Sequence, residues 1–139
     1  MVFYDVGMFR GALVLALLCA AALALPGTTS AAGGWTAKMT LPTHTPKARA
    51  KWPVKIVVKT TSGRRLSGTV QYHFLFGGQV VSTQGCHPNR PDPCSFKGGV
   101  YRDLIRWPKR SAGYKLTFQA TVKTKLGTKN LNYWVKVRR

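Results

Sequence analysis

The chain has 139 residues, of which 22 are Lys or Arg and only 3 are Asp or Glu, so its formal net charge is +19. A length below about 150 residues corresponds to one domain, which argues against a multidomain enzyme. Hydrophobic residues make up 45% of the chain but are concentrated in its first 32 residues. The remainder has the modest apolar content of a small, strongly cationic β domain.

The first 32 residues have the pattern of a cleavable signal peptide. Arg10 precedes an uninterrupted apolar run over residues 11–25, and small residues follow at 28–32. As a helix this run is about 22 Å long, shorter than the roughly 30 Å hydrocarbon core of a bilayer. A basic residue, a short apolar run and an A-x-A-like end are typical of a secretory leader. We therefore expect the rest of the chain to be secreted or held in the cell envelope, with a single membrane anchor as the alternative.

Alternation of apolar and polar residues dominates the rest of the chain. In residues 114–123, for example, Leu116 and Phe118 alternate with Lys115 and Thr117. An antiparallel sheet with one buried and one solvated face produces this pattern. The predicted strands, separated by turns that contain Gly or Pro, are residues 35–41, 53–60, 69–76, 79–83, 100–107, 114–123 and 130–138.

About seven short strands without a helix predict an antiparallel two-sheet sandwich or a small barrel. In a sandwich the apolar inner faces of the two sheets bury each other. A domain of about 100 residues buries roughly two-thirds of its unfolded surface, which is enough to fold alone. We therefore predict a single all-β domain over residues 33–139.

Several turn and strand motifs resemble those of immunoglobulin-like and fibronectin-type-III-like sandwiches in small secreted bacterial proteins. In chain order they are Lys51-Trp52-Pro53-Val54, the turn and strand of residues 62–70, the hairpin of residues 76–81, residues 99–103 before Trp107-Pro108, and Gly113-Tyr114-Lys115-Leu116. The resemblance spans residues 35–137 and implies an exported seven-stranded immunoglobulin-like sandwich with no catalytic residue to carry over. A fold of this kind does not by itself specify a function.

Cys86 and Cys94 are the only cysteines after residue 32. An even pair in an exported chain predicts a disulfide, here closing a loop of about nine residues that is rich in proline. Such a stiff exposed loop suits recognition, but it equally suits a structural staple between two edge strands. A disulfide removes both thiolates as metal ligands and the histidines are scattered, so we expect neither a metal nor another cofactor.

Cations occupy the solvent-facing positions of the last two predicted strands. If these strands pair as a hairpin, their basic residues share one face with a tryptophan, and Lys supplies point charges while Arg supplies a phosphate-binding fork. The candidate binding residues are Lys115, Lys123, Trp134, Lys136 and Arg138, with Arg64 and Arg65 at a turn as a second contact.

The charge predicts a non-enzymatic module that associates with an anionic envelope component, surface or extracellular polymer, because bound anions relieve the repulsion among the cations. Nucleic acid is disfavoured, since few outward-facing aromatic residues are available to stack on bases. Asp92 in the loop and Asp103 in a strand do not make the carboxylate pair of glycoside hydrolysis, and no nucleophile motif is present. We therefore expect no enzyme activity.

Two alternatives remain open at this point. In the first, the protein is a structural or protein–protein interaction module that docks through a sheet edge or through the Cys86–Cys94 loop. In the second, the Lys and Arg residues only keep a small secreted β domain soluble and protect its sheet edges.

Overall fold

The structure is a computed structural model and describes residues 34–87 and 90–139. The predicted signal peptide, residues 1–32, lies outside this part, and its removal stays a prediction. Among the described residues, no helix has the length and apolar character needed to cross a membrane.

In the described part of the chain, eight strands and one turn of 3-10 helix follow one another. The strands are β1 (Trp35–Thr40), β2 (Lys51–Thr60), β3 (Gly68–Phe76), β4 (Gln79–Gln84), β5 (Cys94–Phe96), β6 (Val100–Arg106), β7 (Lys115–Thr124) and β8 (Gly127–Lys136), with the 3-10 turn at Lys109–Ser111. The all-β prediction is confirmed, but the strand count was one short. The additional strand, β5, has only three residues and follows a proline, so it shows no alternation to detect.

The strands form two antiparallel sheets. One has three strands in the order β1-β2-β6, and the other has the order β4-β3-β7-β8 with β5 also paired to β3. β4 pairs with the second half of β3, where His73 lies opposite Thr83. β5 pairs with the first half, where Val70 lies opposite Cys94. Two short strands therefore follow one another along the same edge of β3.

The inner faces of the sheets meet in an aromatic core. Trp52 from β2 packs edge-on against Phe118 from β7, with ring centroids 5.3 Å apart, and against Trp107 at 5.4 Å. All three side chains are at most 2% exposed. Large aromatic rings contribute much of the buried area of a core, so this contact holds the two sheets together in a β-sandwich-like arrangement.

The segment between β1 and β2 runs beside the end of β8. Backbone amides of Lys136 and Arg138 donate to the carbonyls of His44 and Pro46, and the Ala48 amide donates back to Arg138, each over 2.8 Å. The pairing is parallel. Residues 44–48 therefore cover the edge of the five-stranded sheet next to its last strand.

Candidate functional site

The β7–β8 hairpin brings three of the predicted site residues together. Lys115 lies directly opposite Lys136, and Thr117 lies opposite Trp134, so all of them face the same side of the sheet. Both lysines are exposed, and Trp134 is 48% exposed. We call Lys115, Trp134 and Lys136 the Trp134 patch.

The indole of Trp134 is held in place by its neighbours. The His44 ring lies 4.0 Å from the Trp134 ring and 3.9 Å from the Tyr133 ring, nearly parallel to both. His44 Nδ1 also donates to the Trp134 carbonyl over 2.7 Å. On the solvent side, Lys115 Nζ lies 5.6 Å from the centre of the indole, within cation–π range. The patch is thus an apolar platform with two cations already beside it.

Lys123 faces the same side of the sheet but does not join the patch. It lies at the opposite end of β7, about 26 Å from Lys115 along the strand. Between them the outer face is polar and uncharged, with Gln119 donating to Asn132 over 2.9 Å. The predicted single basic face is therefore divided into two cationic ends.

The remaining predicted residues lie at these two ends. Arg138 follows β8 on the side of the Trp134 patch, and its Nε donates to the Thr45 carbonyl over 3.0 Å. Arg64 and Arg65 lie in the turn between β2 and β3, where they line a shallow cavity of about 510 Å³ together with Lys125. They belong to the Lys123 end of the molecule.

A larger set of cations, which the sequence did not reveal, lies on the outer face of the three-stranded sheet. Lys51 lies opposite Arg106, and Lys55 lies opposite Arg102. The outward-facing cations of this sheet are Lys38, Lys51, Lys55, Lys59, Arg102 and Arg106. The four-residue spacing of the β2 lysines was a visible signal that they share a face, but no local pattern places β6 beside β2.

Between the described strands, like charges therefore face each other directly in three pairs: Lys115 with Lys136, Lys51 with Arg106, and Lys55 with Arg102. Two isolated bridges also pair cations, Lys59 with Arg65 and Lys47 with Arg138. Directly opposed residues have Cβ atoms about 4.5–5.5 Å apart, and like charges at this distance destabilise a sheet. Cations dispersed over the surface would provide solubility without this loss of stability. An anion bound between the two members of a pair would remove the repulsion between them.

A polar cluster on the inner face surrounds Asp103. The Tyr101 hydroxyl donates to Asp103 Oδ2 over 3.3 Å, and the Leu104 amide donates to Oδ1 over 2.7 Å. The hydroxyl of Tyr72 is buried and has no hydrogen-bond partner among the described residues. Burial, with a smaller contribution from Asp103, raises the pKa of Tyr101 to about 12 against a lowering effect of the neighbouring Tyr72 hydroxyl, and burial is also the main cause of a raised pKa at Tyr72. The tyrosines are therefore neutral near pH 7.

The predicted disulfide between Cys86 and Cys94 is present, with Cα atoms 5.4 Å apart. Cys86 follows β4 and Cys94 begins β5. The bond therefore joins the two short strands that share one edge of β3, which is the geometry of a structural staple. The Gln71 side-chain amide donates to the Pro91 carbonyl and attaches the loop to β3. In residues 34–87 and 90–139, no group of three His, Cys or acidic side chains is placed to hold a metal ion.

Several apolar side chains on and near β4, at an edge of the five-stranded sheet, are exposed. Phe76 is 50% exposed and packs edge-on against Tyr114 at 5.8 Å, and Val80 and Val81 on β4 are also exposed. The strand pairing shifts register between Phe74 and Leu75, a β-bulge of the kind that discourages edge-to-edge association. Val80 pairs with Leu75, the residue before Phe76, so Val80 and Phe76 lie on opposite faces of the sheet.

No family model matches the chain, and no curated protein matches it. Among solved structures, the chain is similar to a crystal structure of an engineered protein that was a target of the Northeast Structural Genomics Consortium. The two are 19% identical with a TM-score of 0.48, and the match covers 75% of this chain and 20% of that chain. The chain thus corresponds to about a fifth of the length of that protein. Function is therefore inferred from the residues of the chain itself.

Proposed function

We propose that the protein is an exported immunoglobulin-like module without enzyme activity, which associates with an anionic polymer or surface of the cell envelope or its surroundings. The immunoglobulin-like assignment is supported by the division of short antiparallel strands between two packed sheets. The net charge of +19 supports an anionic partner.

The observation that carries the proposal is the pairing of Lys115 with Lys136 beside Trp134. Two ammonium groups repel each other at this position, and one anionic group placed between them attracts both. The indole adds an apolar surface that is already oriented by His44, so little side-chain entropy is lost on binding. The patch thus combines a doubly charged anion site with a rigid hydrophobic contact.

A charge-reversal experiment tests the proposal. We expect wild-type protein to bind immobilised dextran sulfate and not uncharged dextran, and binding to weaken steeply as salt reduces the screening length from about 10 Å to about 3 Å. The double variant Lys115→Glu/Lys136→Glu should lose most of this binding. Lys97→Glu/Lys109→Glu changes the net charge by the same amount at exposed positions outside the patch, and it should bind nearly as wild type.

Equal losses in the two double variants would overturn the proposal. That result would mean that binding follows net charge alone, as expected if the cations serve only solubility. Trp134→Ala gives a second readout, because losing the indole should weaken binding at high salt, where the charges are screened.

A second candidate function is docking of a protein partner at the β4 edge. It is favoured by the exposure of Val80 and Val81 on this edge strand. Such docking is largely apolar and should survive about 1 M salt, where screening is nearly complete. Retention of a host surface protein at that salt by wild type, with loss in Val80→Lys/Val81→Lys but not in Lys115→Glu/Lys136→Glu, would select this function instead.

A further inference from the structure

We propose that the outer face of the three-stranded sheet is a second binding site, and that its ligand is a linear acidic polysaccharide in which charged and uncharged sugars alternate. The site lies on the sheet that does not contain the Trp134 patch. It goes beyond the proposed function, because it assigns a different surface and a defined polymer chemistry.

The spacing of the cations is regular along β2. Lys51 with Arg106 forms one cation pair, and Lys55 with Arg102 forms the next. Between them, on the same face, Pro53 lies opposite Leu104. Because alternate residues of a strand share a face, the apolar row lies about 7 Å from each pair and the two pairs lie about 13 Å apart. Along the strand, a cation pair, an apolar pair and a second cation pair thus follow one another.

A groove runs beside the apolar row. β1 ends at Thr40, opposite Lys55, so the first residues of β2 have no neighbour on that side. Pro53 fits this edge position because it has no backbone N–H to leave unpaired. The groove has a volume of about 710 Å³, and Leu41, Pro42, Pro53 and Leu104 supply its apolar lining. We call this space the Pro53 groove.

The segment that follows β1 forms one wall of the groove and is anchored to the core. The indole N–H of Trp52 donates to the Thr43 carbonyl over 3.2 Å, and Trp52 itself is buried in the core. Asp103 also lines the groove. Its side chain lies on the inner face of the sheet, where the Tyr101 hydroxyl and the Leu104 amide donate to it, so the carboxylate is on the opposite side of the sheet from the cation pairs.

The chemistry of the site favours a sugar polymer over other anionic chains. The apolar face of a sugar ring fits on Pro53 and on Leu104, which is 57% exposed. Carboxylate or sulfate groups on the neighbouring sugars then reach the cation pairs, where Arg102 and Arg106 each present a planar two-point donor. A bare polyphosphate would leave the apolar row without a partner.

Nucleic acid fits this face poorly. The aromatic residues of the three strands, Trp35, Trp52 and Tyr101, are all buried on the inner side. Among the described residues, this outer face therefore offers no ring on which a base could stack, and stacking is a main source of affinity for single strands.

The probe for the test is hyaluronan, a linear polymer in which every second sugar carries a carboxylate. The test variant is Lys55→Gln/Arg102→Gln, which should bind hyaluronan at least ten-fold more weakly, because it loses the charge-assisted hydrogen bonds to the carboxylates of the polymer. Lys97→Gln/Lys109→Gln is the matched control at exposed sites outside the groove and should change affinity less than three-fold. Removal of a repelling pair does not threaten the fold, and a urea midpoint that is not lowered verifies this.

A groove variant separates the polysaccharide from other polyanions. Leu104→Ser should weaken binding of hyaluronan several-fold and leave binding of polyphosphate, single-stranded DNA and anionic lipid vesicles unchanged. Equal effects of Leu104→Ser on all four probes, or equal affinities of Lys55→Gln/Arg102→Gln and its control, would overturn the inference.

The Trp134 patch provides the comparison that keeps the two proposals apart. If Lys115→Gln/Lys136→Gln abolishes hyaluronan binding and Lys55→Gln/Arg102→Gln does not, the second site is wrong while the proposed function stands. If only Lys55→Gln/Arg102→Gln abolishes binding of both hyaluronan and dextran sulfate, the second site stands and the role of the Trp134 patch is wrong.

Discussion

Lys115 and Lys136 lie directly opposite each other on neighbouring strands, with both side chains on the outside of the five-stranded sheet. Their mutual repulsion lowers the stability of the unliganded protein. We predict that Lys136→Gln raises the free energy of unfolding by about 0.2–1 kcal/mol at low salt. The gain should shrink as salt screens the pair. Urea unfolding at low and high salt measures both effects, and Lys97→Gln, at an exposed site in a connecting segment, serves as the control. An unchanged stability at low salt would contradict the prediction.

Stability should fall as the pH rises above about 10. Burial raises the pKa of Tyr101 from 10.0 to about 12, whereas in the unfolded chain the hydroxyl ionises near its ordinary value. The unfolded state therefore loses its proton first, and the stabilisation that is complete below pH 10 is lost between about pH 10 and pH 12. Tyr72, whose pKa burial also raises, contributes in the same direction.

Urea midpoints measured across this pH range check that prediction. The double variant Tyr72→Phe/Tyr101→Phe should lose most of the decrease between pH 10 and 12, while Tyr114→Phe, at an exposed position, should retain it. A wild-type protein whose buried tyrosines ionise near pH 10, by their ultraviolet absorbance, would show that the prediction is wrong.

The two tyrosines should respond differently to removal of the hydroxyl at pH 7. The Tyr72 hydroxyl is buried without a partner among the described residues, so Tyr72→Phe should be neutral or stabilise the fold by about 1 kcal/mol. The Tyr101 hydroxyl donates to Asp103, and Tyr101→Phe should destabilise by about 1–3 kcal/mol because the carboxylate loses a donor. Thermal unfolding of the two variants in parallel tests the difference. Equal effects would mean that the hydroxyl of Tyr72 is paired.

The disulfide should stabilise the fold through the closure of a short loop. Replacement of both Cys86 and Cys94 by Ala is expected to lower the free energy of unfolding by about 2–3 kcal/mol. Reduction of the wild-type disulfide should give a similar loss and should have no effect on the double variant. Hyaluronan and dextran sulfate binding should persist in the folded double variant, because neither the Trp134 patch nor the Pro53 groove includes the loop. A loss of that binding would assign the loop a direct role in recognition.

Gly85 is expected to be irreplaceable in the same loop. Its amide donates to the Arg90 carbonyl over 2.7 Å. A Cβ atom at this position would overlap the carbonyl of Asp92, which is backbone and cannot swing away. Gly85→Ala should therefore destabilise by more than 1 kcal/mol and slow formation of the disulfide, whereas Ser95→Ala, at an exposed position of β5, should not. Thiol titration during refolding and a urea midpoint provide the measurements.

The alternation of apolar and polar residues was sufficient to predict most strands and the side of each that is buried. It also predicted the Trp134 patch, because β7 and β8 are consecutive and pair as a hairpin. The Lys123 side chain faces the predicted side, and the strand carries it to the far end of the sheet from Lys115. A rise of about 3.3 Å per residue already implies that separation.

The features that escaped prediction depend on contacts between distant parts of the chain. β5 is a strand only because Cys94 and its neighbours pair with β3, and three residues are too few to show a period. The cation pairs of the three-stranded sheet need β6 beside β2, with Lys51 opposite Arg106. No local pattern in either strand specifies its neighbour, so the opposed charges emerge only with the topology.

The parallel contact of residues 44–48 with the end of β8 has a mechanical consequence. Tension that pulls Arg139 forward and the chain before His44 backward acts along the axis shared by these two segments. The hydrogen bonds from Lys136 and Arg138 are then loaded together in shear, instead of opening one at a time like a zipper. A protein attached at one end to a surface would therefore resist extension until all of these bonds yield at once.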